Sequence, residues 1–243
     1  EEQEGNDELA IGLFGTVQGS ELEVDAVMLL AQILARNGRL EQAREALQRA
    51  RIANPGRAAD LYIGETQIVQ KYGDRDAALA LYATALGAYP DNRDLLYNRA
   101  LYVVELGDFA WMERDLRRLL EDDPENVDAL NALGYTLADR NERLDEAFAL
   151  VSRALKLRPD SPAILDSMGW VLYRQGDLER AATYLRRALQ LNQDDEIAAH
   201  LGEVLWVSGE RADAQAVWRE ALVHAPDSDK IREVLERLQA ELK

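Results

Sequence analysis

Five aromatic residues with polar edges, Tyr97, Tyr135, Trp170, Tyr173 and Trp206, carry the clearest chemical potential in this chain. Each joins a large apolar face to a hydroxyl or ring N–H, the combination that anchors protein interfaces. Tyr82 and Trp218 read instead as packing between helices. Catalysis is poorly provided for. The two histidines, His200 and His224, stand at no telling spacing from a nucleophile or a metal ligand and read as ordinary helix residues. No phosphate-cradling loop, dinucleotide fingerprint, paired-histidine metal helix or calcium loop occurs. Carboxylates abound, but paired Asp and Glu on solvated helices are expected at this composition. The residues imply binding without catalysis, and neither a cofactor nor a metal.

Charge narrows the partners. Against 45 acids stand 28 bases, a formal net charge of -17. That field repels phosphate backbones and anionic membrane surfaces, so protein is the expected partner class and nucleic acid is not. Solubility is the plain reading of the charge, and attraction of basic partners the specific one. Hydrophobic residues make up 47% of the chain, enough for a packed core. No apolar run approaches the roughly 18 residues of a membrane span; the longest, near Ala26 to Leu34, is broken by Gln32. With no cysteine there are neither disulfides nor thiolate metal sites. The chain opens on Glu1-Glu2, so a processed or excised product is expected, with any targeting signal or lipid-bearing cysteine upstream.

The elements that hold these residues follow from self-similarity at about 34 residues. A small residue recurs at Ala31, Thr66, Ala100, Gly134, Gly169 and Gly202. A turn former follows at Gly38, Gly73, Gly107, Asn141, Gly176 and Gly209, then a further anchor at Ala43, Ala78, Met112, Ala147, Ala181 and Ala214. The next anchor is Ala50, Ala85, Leu119, Ala154, Ala188 and Ala221. Proline closes the unit at Pro55, Pro90, Pro124, Pro159 and Pro226, with Gln193 once in its place. One extra residue intervenes between Asn141 and Ala147.

Each anchor has a physical reason. Apolar residues such as Ala181, Leu185, Ala188 and Leu189 keep helical spacing. Gly or Asn after the first helix suits a left-handed residue that reverses the chain. Small residues let two antiparallel helices approach, and Leu47, Tyr82, Leu116, Val151, Leu185 and Trp218 fill the space beside them. Proline ends the second helix. Met112 and Leu119 break the small-residue rule, so looser packing or a shifted crossing is expected in the third unit. After Pro226, Asp227-Ser228-Asp229 offers an N-cap, and Ile231, Val234, Leu235, Leu238 and Leu242 form the apolar stripe of a helix capping the array. At the other end, residues 1–8 read as an acidic mobile segment. Residues 9–22 hold Leu9, Ala10, Ile11, Leu13, Phe14 and Val17 between glycines, a degenerate helix or partial repeat open to self-association.

This pattern, from Val24 to Pro226, resembles the tetratricopeptide repeat (TPR). The resemblance implies an all-α fold: a right-handed superhelical solenoid of six TPR helix pairs (24–226) with a C-terminal capping helix (227–243). It also implies that the first helix of each pair lines a concave protein-binding groove. Projected on that helix, the groove positions hold Tyr97, Leu101, Asn131, Tyr135, Asp166, Trp170, Tyr173, Glu203 and Trp206. Trp170 and Tyr173 are expected to face the groove, since Met168, Gly169 and Leu172 take the buried positions. Asp25, Asp60, Asp94, Asp128 and Glu196 recur at the start of first helices, where they suit the helix dipole. Asn98, Asn131 and Arg174 do not reconstitute the Lys and Asn set by which some TPR domains clamp a C-terminal carboxylate.

The stretches LNALGYTLADR (130–140) and PDSPAILDSMGWVLYRQGDLERAATYLRRAL (159–189) are similar to the C-terminal repeats of Gram-negative outer-membrane TPR lipoproteins, especially adaptors of a carboxyl-terminal processing protease. That likeness implies a non-catalytic adaptor at the periplasmic face of the outer membrane, tethered by an upstream lipid anchor. Its partners would be the protease and cell-wall hydrolase substrates. Two alternatives stand beside it: a scaffold for secretion, pilus or polysaccharide export assembly, and the substrate-recruiting part of a larger enzyme.

Overall fold

The computed structural model describes residues 23–238. The segments 1–8 and 9–22, and Leu242 of the capping stripe, lie outside the described residues.

Thirteen α-helices, one short 3-10 helix (Pro55–Arg57) and no strand occur among the described residues. The first pair is α1 (Glu23–Arg36) and α2 (Leu40–Ala53), the second α3 (Ala58–Tyr72) and α4 (Arg75–Ala88), the third α5 (Arg93–Glu105) and α6 (Phe109–Asp122). The fourth pair is α7 (Val127–Asp139) and α8 (Leu144–Leu157), the fifth α9 (Pro162–Arg174) and α10 (Leu178–Leu191), the sixth α11 (Asp195–Ser208) and α12 (Arg211–His224). A single helix, α13 (Asp229–Leu238), follows. The chain divides into two compact units within α6, between Asp115 and Leu116.

Local chemistry sets the ends of these helices. Side chains of Asp74, Asn92, Asn126, Asp177 and Asp194 accept hydrogen bonds from first-turn amides, and Ser228 does the same for α13 by accepting from the Ile231 N–H at 3.2 Å. At the other end of every second helix, the amide four residues beyond the last anchor bonds back to it. Thus Asn54 donates to Ala50, Tyr89 to Ala85, Arg158 to Ala154 and Ala225 to Ala221. In every pair but the fifth, proline lies two residues beyond the helix end, where it removes no helical bond.

The turns bear out the expected backbone with one exception. Gly38, Gly107, Gly176, Gly209 and Asn141 have φ between 56° and 92°. Gly73 is extended instead, at φ -102°. Its turn is one residue shorter, and glycine is needed there for space: a Cβ would lie 2.8 Å from the Val69 carbonyl oxygen. The extra residue after Asn141 is absorbed by a second left-handed position, Arg143 at φ 44°. A left-handed residue with a side chain costs roughly 1–2 kcal/mol, whereas glycine costs about 0.5–1 kcal/mol in chain entropy. Arg143→Gly is therefore expected to raise stability by about 0.5 kcal/mol, read as a higher urea midpoint at unchanged slope.

In unit 1, Ala31, Thr66, Ala100, Ala43, Ala78 and Met112 are all buried, with Leu47, Leu61 and Tyr82 fully enclosed. Two buried carboxylates cross-link its helices. Glu65 of α3 pairs with Arg44 and Arg51 of α2, and Asp115 of α6 takes both arms of Arg99 of α5 at 2.7 and 2.9 Å. In unit 2 the first helices carry glycine at the crossing. A Cβ on Gly134 would meet Val151 at 2.6 Å, on Gly169 Leu185 at 2.5 Å, and on Gly202 the Trp218 indole nitrogen at 2.0 Å. Trp218 is fully buried and has nowhere to move. Gly202→Ala is expected to cost about 1–3 kcal/mol by overpacking, seen as a lowered urea midpoint. Leu119, which stands where other repeats have alanine, is also buried.

Candidate functional site

The first helices of unit 2, α7, α9 and α11, bring together most of the residues singled out in the sequence. Two of these helices are buried nearly all round: Ile164–Leu172 of α9 and Ile197–Leu205 of α11 lack any exposed position. Each has a neighbour on several sides, α9 touching α7, α8, α10 and α11, and α11 touching α9, α10, α12 and α13. Polar residues on them must therefore find partners inside the protein.

They do so in one connected cluster. His200 of α11 sits 2.9 Å from Asp166 of α9 through its Nδ1, and its ring stacks on Trp170 at 4.1 Å between centroids. Trp170 also donates its indole N–H to Asp139 at 3.3 Å and lies 5.1 Å from the Tyr173 ring. The Tyr173 hydroxyl donates to Glu203 at 2.9 Å. Arg237 of α13 closes on the same carboxylate with both arms, at 2.7 and 2.5 Å. Tyr135 of α7 reaches past α9 to Glu196 of α11, with a hydroxyl-to-carboxylate distance of 3.4 Å. Lys230 of α13 approaches Glu196 at 3.5 Å.

Electrostatics fixes the protonation of these groups. Burial, then the nearby Glu203, pushes the Tyr173 phenol up to about 12. Burial, followed by Glu196, Asp139 and Asp166, pushes the Tyr135 phenol up as well. Both remain hydrogen-bond donors at neutral pH. Burial alone would lower the His200 pKa, but Asp166 at hydrogen-bond distance, joined by Glu196 and Glu203, outweighs it and raises the pKa above that of a free histidine. Asp166 thus favours the protonated form of the ring, which lies between that carboxylate and the Trp170 face. Ser167, the neighbouring hydroxyl, is turned back onto the Ala163 carbonyl.

Three of the expected groove residues are therefore core residues. Trp170 is 5% exposed, Asp166 7% and Glu203 fully buried. Projection of a single repeat places them on the open side of the helix; neighbouring helices, α13 among them, cover that side. Arg237, an exposed residue of α13, folds over Glu203. Tyr135, Tyr173, Trp206 and Asn131 stay half-buried, and of these Tyr135 and Tyr173 touch the cluster. Asn131 presents a buried Oδ1 with no hydrogen-bond partner among the described residues. Trp206 packs on Trp218 and carries Arg211 over its ring at 5.0 Å. In unit 1, Tyr97 is half-buried and Leu101 is 38% exposed. His200, read from sequence as an ordinary helix residue, lies at the centre. The signal for it was present: His200 falls 34 residues after Asp166, one repeat away on an adjacent first helix. Arg174 donates to the Ala138 and Asp139 carbonyls and ends α7, so it is engaged in structure.

Acids at the helix starts are ion-paired as well as dipole-aligned. Asp128 meets Arg158 at 2.8 Å, and Arg57 joins Asp25 and Asp60. Among the described residues no three His, Asp or Glu side chains are grouped as a metal site, and no helix is long and apolar enough to cross a membrane.

Two family models, each described as tetratricopeptide repeat, match the chain, one over residues 125–194 and the other over 4–58 and 70–110. Together they span more than half of it, and the chain belongs to the tetratricopeptide repeat family. A TPR repeat-containing protein of Pseudomonas aeruginosa is 46% identical over 171 residues, which is 70% of this chain and 29% of that protein. The chain thus spans less than a third of that relative's length. Among solved structures, a tetratricopeptide repeat protein from Parabacteroides merdae superposes with a TM-score of 0.69 at 18% identity, over 95% of this chain and 90% of that one. PilW, a type IV pilus biogenesis factor, does so with a TM-score of 0.68 at 18% identity, over 87% of this chain and 98% of that one. These likenesses share the all-α fold class expected from the repeat. The fold is that of a protein-interaction adaptor or scaffold.

Proposed function

We propose that the chain is a non-catalytic adaptor, the repeat region of a periplasmic lipoprotein at the outer membrane that brings substrates to a carboxyl-terminal processing protease. Binding runs along the first-helix face. The supporting observation is the rim left by the buried cluster of unit 2. Tyr135 and Tyr173 remain partly open while His200, Trp170 and Glu203 hold them from behind, and Trp206 and Asn131 stay partly open on the neighbouring first helices α11 and α7. Aromatic groups already held in place lose little freedom on binding, which favours affinity for an extended protein segment. Tyr97 and Leu101 offer similar contacts in unit 1. The stretches 130–140 and 159–189 that resemble the protease adaptors lie on α7, α9 and α10, the same part of the fold.

The test is a pull-down from a Gram-negative envelope extract. Wild type is compared with a Tyr173→Phe, Trp206→Ala variant whose helicity is checked by circular dichroism. Retention of a processing protease and wall hydrolases by wild type, and their loss from the folded variant, supports the reading. Equal retention by both places binding elsewhere. Recovery of pilus or export components instead favours the scaffold.

A further inference from the structure

The junctions between repeats in unit 2 are built to one plan, and the last of them has been hollowed out. In the fifth repeat, Tyr184 of α10 packs with Leu155 of α8 around the buried Leu165 and Ala188. Beside it, Arg187 of α10 is ion-paired with Asp160. One repeat further on, the equivalent positions are Val217 for Tyr184, Ala198 for Leu165, Glu220 for Arg187, Leu189 for Leu155 and Ala221 for Ala188. Two large side chains have become small, and a cation has become an anion.

A cavity of about 210 Å³ opens at that position. Its apolar lining includes Leu189, Ala198, Val217 and Ala221, and its polar lining includes Asp194, Asp195 and Glu220. Ala221 is only half-buried, unlike its counterparts Ala50, Ala85, Leu119, Ala154 and Ala188, which are all buried. No lysine or arginine lines the cavity, whose one basic lining residue is His224; Asp194 accepts from the Glu196 and Ile197 amides, and none of the three acids forms an ion pair among the described residues. The volume is many times the roughly 10–15 Å³ that admits a water, and below the roughly 300 Å³ of a small-molecule site. It suits one or two side chains.

We propose that this cavity docks a basic segment of a partner protein. The segment inserts an aromatic or long aliphatic side chain between Ala198 and Val217 and sets an arginine or lysine against Asp194, Asp195 and Glu220. The partner thereby supplies the apolar bulk and the positive charge that Tyr184 and Arg187 supply one repeat earlier. The net charge of -17 steers a cationic partner toward the chain. The site shares no residue with the first-helix face, so it does not rest on the function proposed above. An adaptor with both surfaces holds two proteins at once.

The probe is an alanine-rich helical peptide with Tyr and Arg three residues apart, titrated calorimetrically into the folded chain. Binding is expected and should weaken with added salt, since exposed charge pairs are screened. A Val217→Tyr, Glu220→Arg variant restores the fifth-repeat residues and should lower affinity at least tenfold. The single Glu220→Arg variant, on an exposed position, should instead prefer the peptide carrying Glu in place of Arg. Failure of wild type to bind, or equal binding by wild type and the filled variant, overturns the proposal. So does concentration-dependent dimerisation that the filled variant abolishes, which would make a second copy the occupant.

Discussion

Trp170→Ala is expected to lower the unfolding free energy by about 3–5 kcal/mol, the cost of truncating a large aromatic inside a packed core. At 5% exposure, the indole is held by the stacked His200, the Tyr173 ring and a hydrogen bond to Asp139. Its loss leaves a void that two nearly all-buried helices cannot close, and strips the His200 ring of the aromatic face it lies against. Urea unfolding of the variant followed by far-UV circular dichroism measures the loss directly. A change below about 1 kcal/mol would mean that Trp170 stands in solvent and belongs to the binding rim. Trp206→Ala, at the rim, serves as the comparison and should cost less.

Asp166→Ala is the second large effect, and it depends on pH. Removing one partner of a buried ion pair costs about 3–5 kcal/mol when the other stays charged; here His200 can shed its proton, which places the loss near 3 kcal/mol. Because the folded pKa of His200 is raised above the unfolded value, the pair stabilises the protein fully below about pH 6.5. That contribution is lost as pH rises through the folded pKa. The negative groups facing the ring are Asp166, Glu196 and Glu203, with Tyr135 and Trp170 as neutral neighbours and Arg237 and Lys230 engaging the glutamates. Wild-type stability should therefore fall as pH rises from about 6.5 through the raised folded pKa of His200, and the gap to Asp166→Ala should narrow over the same range. A gap that is constant across that range would show that His200 is neutral throughout.

The fold was legible because its anchors are local. Gly134, Gly169 and Gly202 are needed wherever two helix axes approach, and Gly38, Gly107, Gly176 and Gly209 wherever the chain turns left-handed. These requirements act within one repeat, so each repeat displays them. The one extra residue after Asn141 could be counted from sequence, but not its remedy, a second left-handed position at Arg143. The site was legible in membership more than in exposure. Asp166, Trp170 and Glu203 project to the open side of an isolated helix pair. What buries them is the next first helix and α13, whose Arg237 bends over Glu203. Their burial depends on contacts between repeats, which a one-repeat projection omits. His200 was missed for the same reason, since its partner is a full repeat away.

Repeat arrays are usually treated as a chain of units in which each feels only its immediate neighbours, so that unfolding can be written as a sum of single-unit and adjacent-interface energies. Tyr135 does not respect that rule. Its hydroxyl, on the fourth pair, lies against Glu196 of the sixth, and its ring lies 6.1 Å from that of His200 on the same helix. A next-nearest-neighbour coupling of this kind penalises any state in which the fifth pair opens while its flanks stay folded. It also ties the fraying of the C-terminal end to the fourth pair. Amide exchange in α7, α9 and α11 should then report one shared opening energy in place of a gradient, and Tyr135→Phe should begin to separate the three.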